Sequence, residues 1–227
     1  MINLLYLPKS TVNLSYCWNT QGKKRNIMKT RIKEAEKIFK RNHGILKNAQ
    51  AKRLGIHPEV LRQMVDSGLL TKVSRGIYRL TDLPPLGEPD LTKVSLRVPK
   101  GVFCLITALN FHKLSSQIPY RVYIALPTEV KAPTFEYPPL VIIWLSPKSY
   151  NAGIDEHELD GVTVRIYCKE KTIADCFKFR NKVGKDVAIE ALKDYLNSED
   201  RQVEKLLEYA RINRVEKIMR SYIEALV

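Results

Sequence analysis

The sequence predicts an α+β fold, and three observations carry that expectation. Residues 42–80, NHGILKNAQAKRLGIHPEVLRQMVDSGLLTKVSRGIYRL, read as two short helices around a glycine turn, followed at once by a two-stranded hairpin. Residues 97–227 mix apolar helical stripes with runs of branched and aromatic residues, the pattern of a mixed α/β domain with a small sheet and a helical C-terminus. Between the two, Asp82-Leu83-Pro84-Pro85-Leu86-Gly87-Glu88-Pro89 suits neither a helix interior nor a central strand. The first half is thus expected to be a winged helix-turn-helix over residues 29–83. An unstructured extension over residues 1–28 precedes it, and a semi-rigid Pro-rich linker over residues 84–96 leads to the α/β domain.

The elements of the first half follow from local signals. Residues 1–27 lack helical periodicity, and no basic segment precedes their apolar start, so a disordered tail is expected rather than a signal peptide. Met28, directly before the first patterned helix, also fits a start site placed too far upstream. Thr30 caps a helix to Asn42 whose stripe is Ile32, Ala35, Ile38 and Phe39, and Gly44 ends it. Asn48–Leu54 is a short helix with Ala49, Ala51 and Leu54 inward. Gly55 closes it, because a residue just past a helix end often needs positive φ.

Pro58 then opens the second helix of the pair, where its missing N–H costs nothing, and the helix stops before Gly68. Val60, Leu61, Met64 and Val65 form its apolar stripe, which leaves Glu59, Arg62, Gln63 and Asp66 together on the opposite face. That is the face a recognition helix lays in a major groove. Arg pairs with guanine and Gln with adenine through two hydrogen bonds each, so Arg62 and Gln63 are the expected base readers. Leu69–Val73 and Ile77–Leu80 form the wing around Ser74-Arg75-Gly76, with Lys72, Arg75 and Arg79 placed to meet phosphate or a minor groove. Lys47, Lys52, Arg53 and His57 complete the expected DNA surface, Lys52 and Arg53 on the backbone. Glu59 and Asp66 would repel phosphates. The bland alternative for all of these residues is a solvated, charged surface.

Charge agrees with this placement. Residues 1–83 hold 17 Lys and Arg against 5 Asp and Glu, a balance of +12, whereas residues 84–227 hold 21 against 19, only +2. A polyanion follows from counterion release, and double-stranded DNA is the expected partner. Membrane is not, since no apolar run approaches the roughly 20 residues that span a bilayer and no Trp-bearing basic amphipathic helix is visible. Cys17, Cys104, Cys168 and Cys176 are scattered without a C-x-x-C pair, which points to buried thiols in a reducing, cytoplasmic compartment. No metal ligand spacing and no cofactor motif is present.

In the second half, Lys100–Leu114 reads as a helix with Val102, Leu105, Ile106, Leu109 and Phe111 buried. Three strands follow, Arg121–Leu126, Leu140–Leu145 and Val162–Tyr167. Asp155-Glu156-His157-Glu158 is expected to be a solvent-facing acidic turn, its residues being consecutive rather than helically spaced. A helix starts at Lys169, another spans Asp186–Leu196 with Ala188, Ala191, Leu192 and Tyr195 inward, and a last helical region is capped by Ser198.

Leu54-Gly55-Ile56, Leu61, Ser67-Gly68-Leu69-Leu70 and Arg75-Gly76-Ile77-Tyr78-Arg79 resemble the N-terminal winged helix of the AbiEi family of type IV antitoxins. Thr107–Leu114, Ile118-Pro119, Val122-Tyr123-Ile124-Ala125, and Glu170–Asp175 with Ala191-Leu192 and Tyr195-Leu196 resemble that family's C-terminal antitoxin domain. The resemblance implies a non-enzymatic antitoxin, of a kind tied to phage defence, that neutralises a nucleotidyltransferase-like toxin encoded alongside it. It also implies repression of their shared promoter at repeated sites. Thr172 and Asp175 belong to the recurring motif, with a role on a partner or in the fold left open, as are direct contact with the toxin and the oligomeric state.

Two other functions compete. One is a stand-alone transcriptional regulator whose second domain senses a ligand or dimerises. The other is a DNA-acting nuclease built from Asp160, Glu170, Asp175 and Lys178. Arg180, Lys182 and Lys185 form a small basic cluster, by default a solvated face.

Overall fold

The structure, a computed structural model, describes residues 14–117 and 119–226, with side chains described from residue 25. The chain divides into two compact units, Met1–Leu83 and Pro84–Val227, and the mixture of helices and small sheets is α+β.

The first unit runs α1 (Leu14–Arg41), β1 (Ile45–Lys47), α2 (Asn48–Arg53), α3 (Pro58–Asp66), β2 (Leu70–Ser74) and β3 (Ile77–Leu80). Its sheet has the order β1-β3-β2, antiparallel throughout. Ala35 and Phe39 of α1, Leu46, Ala51, Ile56, the Val60/Leu61/Met64 stripe, Leu70 and Leu80 form one core, with Met28 and Ile32 packed at its edge. Burial of these apolar side chains is the main term holding the helix pair against its wing.

Three sequence expectations need correction here. Helix α1 begins at Leu14, so residues 14–28 are not an unstructured extension; residues 1–13 of that extension lie outside the described residues. Thr30 is therefore mid-helix, where its hydroxyl donates to the Asn26 carbonyl at 3.1 Å instead of capping. Of the residues expected inward on α2, only Ala51 is buried, while Ala49 and Leu54 are exposed, because six residues present little more than one inward position.

The second unit runs α4 (Pro89–Arg97), β4 (Val102–Phe103), α5 (Leu105–Phe111), β5 (Val122–Pro127), β6 (Leu140–Leu145), α6 (Pro147–Asn151), β7 (Ile154–Leu159) and β8 (Val162–Tyr167). The helices α7 (Lys169–Lys178), α8 (Arg180–Val183), α9 (Lys185–Leu196), α10 (Val203–Ile212) and α11 (Glu216–Leu226) complete it. The sheet order is β6-β5-β4-β8-β7, with β5/β6 and β4/β8 parallel and the other pairs antiparallel.

Strand alternation builds a core on each face. Phe103, Val122, Ile124, Leu126, Val164 and Ile166 meet Leu91, Val94 and Val98. Val102, Ala125 and Tyr167 join the larger cluster formed with α5, α7, α9, α10 and α11. Cys104, Cys168 and Cys176 are buried free thiols within this unit.

Four expectations change in this unit. The presumed linker over 84–96 contains most of α4, because Pro89 occupies a first helical position and Leu91 and Val94 then cover the sheet. Lys100–Leu114 is not one helix. Val102-Phe103 is the central strand, and the chain turns into α5 through Leu105, which adopts φ +48. Asp155–Glu158 is no turn but lies within β7, paired with Glu156 opposite Arg165 and His157 opposite Val164. Ser198 donates to the Tyr195 carbonyl at 2.7 Å at the end of α9, and Gln202 stands at the start of α10.

Candidate nucleic-acid interface

The helix pair is set by its turn. Gly55, at φ +84, donates to the Lys52 carbonyl at 3.1 Å, and Ile56 donates to Ala51 at 2.9 Å, sending Ile56 into the core. His57 then starts α3 in an extended conformation, and its Nδ1 accepts the Glu59 N–H at 3.2 Å, satisfying a donor that the helix leaves unpaired.

With Val60, Leu61 and Met64 fully inward, the outer face of α3 carries the residues expected there. Arg62 is 71% exposed, Asp66 is exposed and Gln63 is half-buried. Arg62 and Gln63 do not stand alone on a blank face, however. Arg62 Nη2 donates to Glu59 Oε1 at 3.0 Å, and Gln63 Nε2 reaches the same oxygen at 3.5 Å. Both expected base readers thus converge on Glu59, a residue whose own charge repels phosphate. The spacing from Glu59 to Arg62 and Gln63, three and four residues, is the signal that would have found it.

The wing is tied to the same helix pair. Strand β1 pairs with β3, and the Gly76 carbonyl at the wing turn accepts from the Asn48 N–H at 2.8 Å, the first residue of α2. A bulge between Lys72 and Ser74 twists β2 before the turn. Gly76, at φ +73, supplies the left-handed residue the turn requires. Arg75 is exposed at the tip, Lys72 is exposed opposite Tyr78, and Arg79 is half-buried opposite Thr71.

The remaining basic candidates differ in setting. Lys52 and Arg53 are exposed in the last turn of α2, with Arg53 Nε 3.4 Å from the Ala49 carbonyl. Lys47 is half-buried at the end of β1, and burial pushes its amine below the usual lysine range.

The second unit offers no comparable face at its motif. Thr172 is fully buried and donates to the Tyr167 carbonyl at 3.1 Å. Asp175 is 1% exposed. It accepts from Lys171 Nζ at 2.5 and 2.6 Å and from Asn213 Nδ2 at 2.7 Å, and Asn213 accepts in turn from Ser149 at 3.0 Å. Lys171 also lies over the Tyr167 ring, 4.3 Å from its centre. Inside the fold, then, these motif residues hold α7 to β8 and to the residue following α10.

The imagined nuclease set is not assembled as such. Asp175 is committed to Lys171, and Asp160 sits in the β7–β8 turn accepting the Gly87 N–H at 3.2 Å. Glu170 accepts from the Tyr195 hydroxyl at 2.9 Å and pairs with Lys205 at 3.3 Å. Burial pushes its carboxyl up, but its own backbone N–H, Tyr195, Cys168 and the Lys205 charge together hold it below the usual range. Among the described residues no group of three His, Cys, Asp or Glu is arranged to hold a metal ion, and no helix is long and apolar enough to cross a membrane.

Comparison with known proteins bears on the first unit. Residues 33–81 match the sequence model of a family described as transcriptional regulators, AbiEi antitoxin. The match covers α2, α3 and the wing, together with most of the patterned part of α1. A search of curated proteins returns no match.

Proposed function

We propose, from the match of residues 33–81 to the AbiEi antitoxin transcriptional regulators, that this chain represses its own promoter and neutralises a toxin encoded alongside it. Its winged helix-turn-helix docks on double-stranded DNA. Helix α3 enters the major groove, where Arg62 and Gln63 read base edges. Lys52 and Arg53 grip the backbone, Lys47 and His57 flank the helix start, and Lys72, Arg75 and Arg79 bring the wing to adjacent phosphates or the minor groove. The promoter carries repeated sites. The toxin is nucleotidyltransferase-like, the pair acts as a type IV system in phage defence in the cytoplasm, and no catalysis by this chain is involved.

The observation that carries the reading is the coincidence of the family match with an outward α3 face on which Arg62 is 71% exposed. The net charge of +12 on residues 1–83 supports it, being where phosphate contacts are needed.

A mobility shift of the chain's own upstream DNA, read against random duplex across a salt series, tests the repressor half. Retardation of upstream DNA at concentrations that leave random duplex free is expected, and no retarded band even at low salt would overturn it. Co-expression with the adjacent reading frame tests the antitoxin half. Growth arrest by the neighbour alone, relieved by this chain, is expected, and unrelieved arrest would leave a plain regulator.

A further inference from the structure

The interaction not absorbed by that reading is the carboxylate shared by both base readers. Glu59 is the second residue of α3. Its N–H is pinned by His57 Nδ1 at 3.2 Å, its side chain is 40% exposed, and its Oε1 accepts from Arg62 at 3.0 Å and from Gln63 at 3.5 Å. A carboxylate in the first turn is held favourably by the helix dipole. The backbone position of Glu59 is therefore fixed, and the Arg62 and Gln63 side chains both reach its carboxylate.

We propose that Glu59 is a positioning residue that sets DNA specificity by binding Arg62 and Gln63 to the helix face and withholding the Arg62 charge from phosphates. The inference rests on the DNA reading above. A guanidinium free to swing gains almost as much from a backbone oxygen as from guanine, and backbone contacts carry no sequence information. Paired to Glu59, Arg62 meets phosphate at the cost of its partner and of bringing a second negative charge close to the backbone. A guanine edge, with two acceptors in one plane, recovers more of that cost through a bidentate bond. Glu59 thus lowers affinity for random duplex more than affinity for the operator. Gln63, held on the same oxygen, is kept in the register needed to reach a neighbouring adenine.

The test is a double-mutant cycle read on operator and random duplex over a salt series, with Glu59→Gln, Arg62→Ala and the double variant of the full chain. Glu59→Gln keeps the shape and removes the charge. On random duplex it is expected to tighten binding and to steepen the salt dependence by up to about 0.9 in slope, one additional phosphate contact. The ratio of operator to random affinity is expected to fall by about tenfold, the worth of one good bidentate contact. In the Arg62→Ala background the same change should lower the ratio by less, leaving only the part carried through Gln63.

An unchanged ratio in the parent overturns the proposal. So does an equal gain on random duplex with and without Arg62, which would make Glu59 a bulk charge and nothing more. If the unaltered chain binds operator and random duplex alike, the operator reading itself fails and takes this one with it; that outcome is separable because it is read before any variant is compared. Glu59→Asp, which restores charge on a shorter stem, should recover the weak random binding without fully recovering the ratio.

Discussion

Two ion pairs, each within one turn of a short helix, divide the molecule's chemistry between them. Glu59–Arg62 in α3 leaves its side chains 40% and 71% exposed, whereas Lys171–Asp175 in α7 leaves its own at 1% or less. The first sits in water, where Coulomb attraction is weak, side-chain entropy opposes it, and either partner is free to exchange for a ligand. The second sits in a low-dielectric interior with its remaining acceptor capacity taken up by Asn213, and Tyr167 packed beneath the ammonium. Breaking it strands a charge. The same residue chemistry at nearly the same spacing is thus an exposed, exchangeable pair in one unit and a buried brace in the other.

The sharpest way to break this contrast is Asp175→Ala. It leaves Lys171 and Asn213 without their shared acceptor, and the unfolding free energy should drop by about 3–5 kcal/mol, measured as a lowered denaturant midpoint at unchanged slope. A loss below about 1 kcal/mol would mean that the pair is hydrated and the contrast false. Arg62→Ala should do the reverse. Operator affinity is expected to fall by about 1–3 kcal/mol in a titration against the upstream DNA, with the unfolding midpoint scarcely moved. Equal losses on operator and random duplex would remove Arg62 from base reading.

The legibility of the sequence tracks the same divide. The helix pair and wing could be read because their signals are local: Gly55 at a left-handed turn, Pro58 at a first helical position, and a stripe at 3.6-residue spacing. What failed depended on partners distant in sequence. Strand β4 is two residues of an all-apolar run, and only its pairing to Ile124 and Ala125 and to Ile166 marks it as a strand. Strand β7 carries Asp155, Glu156 and Glu158 on a sheet edge, where charge is what keeps an edge from pairing further, so its polar composition reads as a turn.

Helix α4 was hidden behind the prolines that introduce it. In the candidate site, the outward placement of Arg62 is legible from periodicity, whereas spacing alone does not single out Glu59 as the acceptor it shares with Gln63. Nor could composition tell that Lys171 is buried, since lysine in a helix is ordinarily solvated.

Lys72 refines the comparison within the wing itself. It is exposed on β2, and under the proposed DNA reading it makes a contact that positions without reading sequence. Lys72→Ala should weaken operator and random duplex in parallel, with the salt slope flattened by about 0.9. A loss confined to the operator, or an unchanged slope, would move Lys72 from the backbone to the bases and leave the wing with a different task.

The smallest expected effect is the most telling for the contrast between the two pairs. If Glu59–Arg62 exists for recognition and not for the fold, Glu59→Gln should shift the unfolding free energy by no more than about 0.5 kcal/mol, the usual range for an exposed pair three or four residues apart on a helix. The His57 cap on the Glu59 N–H uses backbone and imidazole only, so it survives this substitution and the start of α3 stays intact. Denaturant unfolding of the variant at low and at moderate salt separates the contributions: a residual difference that vanishes with salt is the surface pair itself. A loss of 2 kcal/mol or more, roughly that of a failed cap or a broken buried bond, would mean that Glu59 holds α3 in place. The two ion pairs would then share one structural role.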